Sequence, residues 1–257
     1  MKRTPVAVNP ADFPDVFRPL LSRCRIFDSS CSKEARVWYL DEGFFLKSAP
    51  AGILQTEAEM TRYFHGKGLG PEVLFYGQET ADWLLTRAVP GEDCTHYIHD
   101  PKRLCDTLAE LLRSLHETDS TGCPVTDRCG TCFHRAEENR RKGVCDLTLF
   151  PEMWHFSSEE EAWSEIETNG RFLRSTVLVH GDYCLPNVML DDWKFSGFID
   201  LDSSGMGDRH TDLFWGIWTL NFNLKTNAFR DRFLDAYGRD VLIPEKLRTV
   251  AALEVFL

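Results

Sequence analysis

Between residues 177 and 212 the chain concentrates side chains suited to phosphate chemistry. Asp182 follows the apolar run Val177-Leu-Val179 and the pair His180-Gly181; Asn187 comes next, and Asp200 lies beyond a short hairpin. Phosphoryl transfer asks a protein mainly for positioning and charge neutralisation, with little covalent work. A carboxylate at a strand end can orient or deprotonate a hydroxyl. An amide oxygen and a second carboxylate are hard donors of the kind magnesium takes. Asp182 is therefore the candidate base, and Asn187 and Asp200 are the candidate magnesium ligands, of an ATP-dependent transfer to a small molecule. His180 is expected to brace the loop rather than to donate a proton.

Two upstream charges fit the same chemistry. Lys47, on a strand, and Glu57, on the helix that follows, match the pair that fixes the α- and β-phosphates of a nucleotide. The stretch Ser29 to Arg36 contains Ser32 but no glycine, so neither a G-x-G-x-x-G loop nor a Walker A sequence occurs. Ser32 and nearby backbone amides are the candidate phosphate contacts.

The elements that must hold these groups fall into two regions. Alternating, β-branched or aromatic runs at 35–40, 44–47, 73–76 and 83–86 read as strands, with a helix over 54–64. The turn residues of 88–93 mark a hinge. Beyond it Pro101 opens a helix with an apolar stripe at Leu104, Cys105, Leu108, Leu111, Leu112 and Leu115. Residues 117–134 read as a loop, 135–142 as a solvated helix, 159–173 as a helix, and 212–224 as an apolar helix carrying Trp215 and Trp218. The expectation is an α+β fold of two lobes, with residues 1–88 forming a β-rich nucleotide-binding lobe and 89–257 a helical catalytic and substrate-binding lobe.

Bulk properties narrow the classes. A chain of 257 residues with 43% hydrophobic and 27% charged residues is ordinary for a globular protein. A net charge of -11 argues against nucleic acid and suits a cationic ligand. There is no apolar run near the roughly 20 residues of a membrane helix, and no signal-peptide core after Met1, so a cytoplasmic location is expected. Nine cysteines suggest reduced thiols; Cys129 and Cys132 have CxxC spacing, with His134 near, but no second ligand pair.

With these residues in hand, the chain resembles the aminoglycoside phosphotransferases, particularly their 3′-phosphotransferase branch, which has a protein-kinase-like fold. The likeness is densest in Val179-His-Gly-Asp182 with Pro186-Asn187, in Ser196-Gly-Phe-Ile-Asp200, and in Gly205-Met-Gly-Asp208-Arg209 with Asp212-Leu213. Weaker similarity covers Ala35 to Leu40, Leu46-Lys47, Glu57, Leu84-Leu85 and Leu115-His116. The resemblance implies ATP and magnesium as cofactors, an aminoglycoside as acceptor and resistance as the outcome. It implies Asp182 as base, Asn187 and Asp200 on magnesium, Lys47 paired with Glu57, and backbone groups of Arg87 and Val89 at the adenine. Acceptor amines are expected to meet acids near the C-terminus. Here these are Glu254 and the terminal carboxylate of Leu257, with Glu152 and one of Glu159 to Glu161 contributing. Only one acid, Glu254, stands where the family usually has two. Choline, a macrolide or a sugar are alternative acceptors on the same fold, and a nucleotide-binding protein without catalysis is the alternative outside it. The protein is expected to be a monomer or homodimer.

Overall fold

A computed structural model describes residues 3–31, 35–150 and 153–257. In chain order the elements begin with β1 (Thr4–Pro5), α1 (Arg18–Leu21), β2 (Ile26–Asp28), β3 (Arg36–Leu40), β4 (Phe44–Pro50), α2 (Gln55–Gly66), β5 (Val73–Gln78), β6 (Ala81–Arg87) and β7 (Glu92–Asp93). There follow α3 (Pro101–His116), α4 (Arg128–Arg141), α5 (Glu159–Asn169), β8 (Val177–Val179), β9 (Val188–Asp191), β10 (Lys194–Phe198), β11 (Gly205–Gly207), α6 (Arg209–Leu224), α7 (Arg230–Tyr237) and α8 (Pro244–Glu254). The architecture is α+β, and the chain divides into two compact units. One runs through Asp93 and includes the Val188–Asp202 segment; the other comprises Cys94–Asn187 and Ser203–Leu257.

The first unit is built on a six-stranded antiparallel sheet of order β1-β2-β3-β4-β6-β5. Side chains alternate faces along a strand, so β4 and β6 bury two different sets. Leu46 and Leu85 join Phe13, Phe17, Leu21, Ile26 and Leu40 under the N-terminal turns. Ala49 and Leu84 face the other way, onto Leu54 and Ala58 of the α2 segment. Lys47 has the parity of Ala49 and so projects from the α2 side. The helix itself is anchored by fully buried Asp82, whose Oδ2 accepts from the Leu54 N–H at 2.8 Å.

A second, three-stranded sheet of order β10-β9-β7 belongs to this unit. Gly91, just before β7, has φ +86°, and a Cβ there would lie 2.1 Å from the Leu190 carbonyl oxygen. No other residue tolerates both the left-handed backbone and that approach. The β9–β10 hairpin turns through Asp192 and Trp193, both at positive φ, as two-residue hairpin loops require. Phe198 ties the hairpin to the rest of the unit: its N–H donates to the Leu69 carbonyl at 2.7 Å. Its ring meets Phe64 edge-on at 6.2 Å.

The second unit is helical. The expected stripe of α3 is buried at Leu104, Cys105, Leu108, Leu112 and Leu115, and Asp100 caps the helix by accepting from the Arg103 N–H. α3 packs on α6 and α7, and α8 packs on α5 and α6. One expectation fails. Residues 117–134 are not all loop, because α4 starts at Arg128 and takes in Cys129 and Cys132. The Asp127 carboxylate accepts from the Gly130 N–H at 3.0 Å and from Ser175 Oγ at 2.7 Å. That cap outweighs the poor helix propensity of Gly130. Among the described residues no helix is long and apolar enough to cross a membrane.

Candidate functional site

The buried strand β8 pairs antiparallel with β11, Gly205 opposite Val179 and Gly207 opposite Val177. The chain leaves β8 through His180 and Gly181 into the loop that carries Asp182. Gly181 has φ +86°, and a Cβ there would sit 2.0 Å from the Ser203 carbonyl oxygen. The turn is therefore reserved for glycine. Its two amides are held by one buried carboxylate: Asp212 Oδ2 accepts from His180 N–H and Oδ1 from Gly181 N–H, each at 2.8 Å. Behind it His116 Nε2 lies 3.1 Å from Asp212 Oδ2, and His116 Nδ1 lies 2.7 Å from the Tyr237 hydroxyl.

The next residues are fixed as closely. The Asp182 N–H donates to His180 Nδ1 at 3.3 Å, which makes the fully buried His180 ring a brace for the loop. The Tyr183 hydroxyl donates to the Leu108 carbonyl at 2.8 Å, and Leu185 N–H donates to Thr219 Oγ1 at 3.1 Å. Asn187 Nδ2 donates to both the carbonyl and Oδ2 of Asp182, at 3.0 and 2.8 Å. Since the amide nitrogen is spent on Asp182, the oxygen of Asn187 is the atom left for a cation. Asp182 is half-buried, so a hydroxyl can reach it.

Glu254 and Leu257 close the same unit. Glu254, at the end of α8, accepts from Trp215 Nε1 at 3.2 Å. Burial pushes its carboxyl up to about 8, against the Trp215 hydrogen bond, with the negative charge of Asp182 adding to the rise. Leu257 lies beside Arg135, whose Nη2 donates to the Leu257 carbonyl at 3.5 Å, while Asn139 Nδ2 holds Phe256 O at 2.7 Å.

In the first unit, Lys47, Glu57 and Asp200 meet. Lys47 Nζ is 2.8 Å from Glu57 Oε2 and 3.0 Å from Asp200 Oδ1. Burial works against the Lys47 ammonium, but the two carboxylates outweigh it and hold its pKa above the ordinary lysine value. Burial pushes Glu57 up to about 7 despite the lysine. Asp200 lies two residues beyond the end of β10 with φ +60°, a conformation that costs a non-glycine residue energy and that concentrates at working sites. Its side chain is half exposed. Arg87 ends β6; its N–H already donates to the Glu72 carbonyl, and its guanidinium pairs with Glu72 Oε2 at 3.0 Å. Val89 packs over Gly197 of β10, where a Cβ would come within 3.1 Å of its methyl group. Ser32 and Glu152 lie outside the described residues.

Asp200 and Asn187 offer oxygen donors, but among the described residues no cluster of three or more His, Cys, Asp or Glu side chains is placed to hold a metal. Each of the two is a hard oxygen donor of the type magnesium takes. Cys132, one helical turn from Cys129, is pushed up to about 12 by burial and stays a thiol.

Sequence reasoning took Asp212 only as part of a motif and Trp215 only as apolar surface; nothing local marks either as a partner of the loop or of Glu254.

The chain as a whole is similar to known proteins. The sequence model of the phosphotransferase enzyme family matches residues 32–252. A probable aminoglycoside 3'-phosphotransferase of Lactococcus lactis is 45% identical over 254 residues, 97% of each chain. A crystal structure of a type VIII aminoglycoside-3'-phosphotransferase superposes with TM-score 0.77 at 29% identity, covering 97% of this chain and all of that one. An aminoglycoside phosphotransferase of Streptomyces rimosus in complex with ADP and streptomycin has TM-score 0.74 at 22% identity, over 96% and 94% of the two chains. The chain belongs to the phosphotransferase enzyme family.

Proposed function

We propose that this protein transfers the γ-phosphoryl group of ATP to a hydroxyl of an aminoglycoside, the 3′-hydroxyl in particular, and so confers resistance. The observation that carries the reading is the clamped Asp182. Its carboxylate and carbonyl are held by Asn187, and its loop is hung on buried Asp212. Such a carboxylate meets the main demand of the reaction, a fixed acceptor for the proton of the attacking hydroxyl. As the hydroxyl oxygen bonds to the γ-phosphorus, its proton passes to Asp182, the bond from the γ-phosphorus to the β,γ-bridging oxygen breaks, and ADP leaves. Lys47, kept cationic and aimed by Glu57, meets the α- and β-phosphates. Asn187 Oδ1 and Asp200 would hold magnesium, which supplies neutralisation of phosphate charge. Backbone groups of Arg87 and Val89 meet the adenine. Glu254 and Leu257 receive ammonium groups of the acceptor. Relatedness to an aminoglycoside 3'-phosphotransferase across nearly the whole chain supports the acceptor class.

The test is a coupled ADP-release assay over a panel of aminoglycosides, with choline, a macrolide and simple sugars alongside, and the phosphorylated hydroxyl located by NMR. Turnover confined to aminoglycosides with a 3′-hydroxyl is expected. Turnover only with a non-aminoglycoside, or none from folded protein that binds ATP, sinks the reading.

A further inference from the structure

One face of α6 does more than pack. Thr219 touches the Asp182 loop through Leu185, and Trp215 holds Glu254. On a 3.6-residue helix Trp215, Trp218, Thr219 and Phe222 share one side. Their rings form a continuous row. Trp215 and Trp218 meet edge to face at 5.3 Å, and Trp218 and Phe222 stack at 4.9 Å with planes 12° apart. The row starts at Glu254, whose charge is coupled to that of Asp182, and ends in solvent, where Phe222 is 52% exposed. Its last ring already takes a cation: Lys225 Nζ lies 4.2 Å from the Phe222 centroid.

We infer that the Trp215–Trp218–Phe222 row is the acceptor-selecting wall of the site, stacking on the rings of a polycationic aminosugar while Glu254 takes an ammonium group. This rests on the function proposed above and names how that site chooses its substrate. Three observations carry it. Charge and apolar surface are juxtaposed in the way an aminosugar needs, with C–H faces for the rings and a carboxylate for the amine. The indole N–H of Trp215 fixes the orientation of Glu254. Lys225 Nζ already lies over the Phe222 ring, and ring faces attract ammonium groups without a net charge of their own. A carboxyl that burial holds partly protonated also gains its charge when a cation docks against it.

The test uses the full-length protein with kanamycin A as probe, binding measured by calorimetry and turnover measured separately. Phe222→Ala, at an exposed position, is expected to weaken kanamycin A binding about fivefold, and Trp218→Leu about twentyfold, within the range for cation–π and ring contacts. Affinity for ATP and the unfolding temperature should stay as in the parent protein. Phe172→Ala, removing a ring that is equally exposed on the same unit, should change nothing. Unchanged kanamycin A affinity in both α6 variants, with turnover intact, overturns the wall and leaves the proposed reaction standing. Equal losses for ATP and kanamycin A in Trp218→Leu and no loss in Phe222→Ala make the row structural and also overturn it. Kanamycin A binding that depends on the row, without turnover, keeps the wall and overturns the reaction. Failure of the parent protein to bind kanamycin A overturns both.

Discussion

Replacing Asp212 by asparagine should disable the protein without touching a group that meets substrate. Asp212 is fully buried and takes three polar contacts: His180 N–H and Gly181 N–H at 2.8 Å, and His116 Nε2 at 3.1 Å. Each hydrogen bond to a charged acceptor is worth about 1.5–3 kcal/mol. Asparagine keeps one oxygen, which can serve His180 and His116, but it turns an N–H toward the N–H of Gly181. One charge-assisted bond is lost and a buried donor is left facing another. The expected cost is roughly 2–4 kcal/mol. At about 2–4 °C per kcal/mol for a chain near this size, the unfolding temperature should fall by roughly 4–16 °C.

The effect on turnover follows from geometry. Gly181 cannot shift toward Ser203, where even a methyl group has no room. Relief must come from moving the loop outward, and Asp182 moves with it. A displacement near 1 Å at a reacting group costs on the order of 100-fold. The Asp212→Asn protein should therefore lose about two orders of magnitude in kcat with little change in ATP affinity, measured by ADP release, nucleotide titration and thermal unfolding. An Asp212→Asn protein that unfolds within 2 °C of the parent and keeps kcat within about threefold would refute this account of how the loop is held.

Three further outcomes are expected. Asp182→Asn should lower kcat by about 100- to 10,000-fold in the coupled assay, with ATP binding nearly unchanged; a loss below tenfold would remove Asp182 from the role of base. Lys47→Met should raise the KM for ATP and make stability more sensitive to pH. Glu57, already pushed up to about 7 with the lysine present, then rises further. A carboxyl whose pKa is raised on folding favours the folded state less as pH climbs through and above its unfolded value, so the variant's unfolding temperature should drop more steeply than the parent's between pH 6 and 9. A parallel pH profile for the two proteins would count against the buried pair. Asp208 provides the opposite sign. Burial alone would raise its pKa, but bonds from His210, Lys246 and the His210 and Arg174 amides lower it well below the ordinary aspartate value. Its contribution is full above the unfolded value of 3.8 and is lost as pH falls below that. Asp208→Asn should flatten the acid side of a pH–unfolding curve, and an unchanged acid limb would contradict the assignment.

What could be seen in the sequence alone was whatever is local. Asp182, Asn187 and Asp200 stand within a short segment, are of unusual type, and are spaced by a hairpin whose own residues predict it. The stripe of α3 repeats at helical period, and its burial follows. Contacts between distant residues could not be seen. Asp212 is one acid in the first turn of a helix, where an acid usually serves the helix dipole; its hold on His180 and Gly181 appears only when β8 and α6 are brought together. The start of α4 at Arg128 was hidden for a similar reason, because Asp127 is braced by Ser175, 48 residues on. The membership of Val188–Asp202 in the first unit depends on Phe198 reaching Leu69 and Phe64, which no local pattern encodes.

The aromatic face of α6 shows the limit most clearly. Trp215, Trp218 and Phe222 repeat at the spacing of any core-facing stripe, and periodicity cannot tell a face that packs on protein from one that waits for a ligand. Three facts separate the two cases, and all are tertiary. Phe222 remains exposed, Trp215 spends its N–H on a carboxylate 39 residues away, and Thr219 between them touches the loop of Asp182. A stripe that begins half-buried, holds an acid and ends in solvent is poorly explained as packing. Selection of the acceptor gives each of those three features a use.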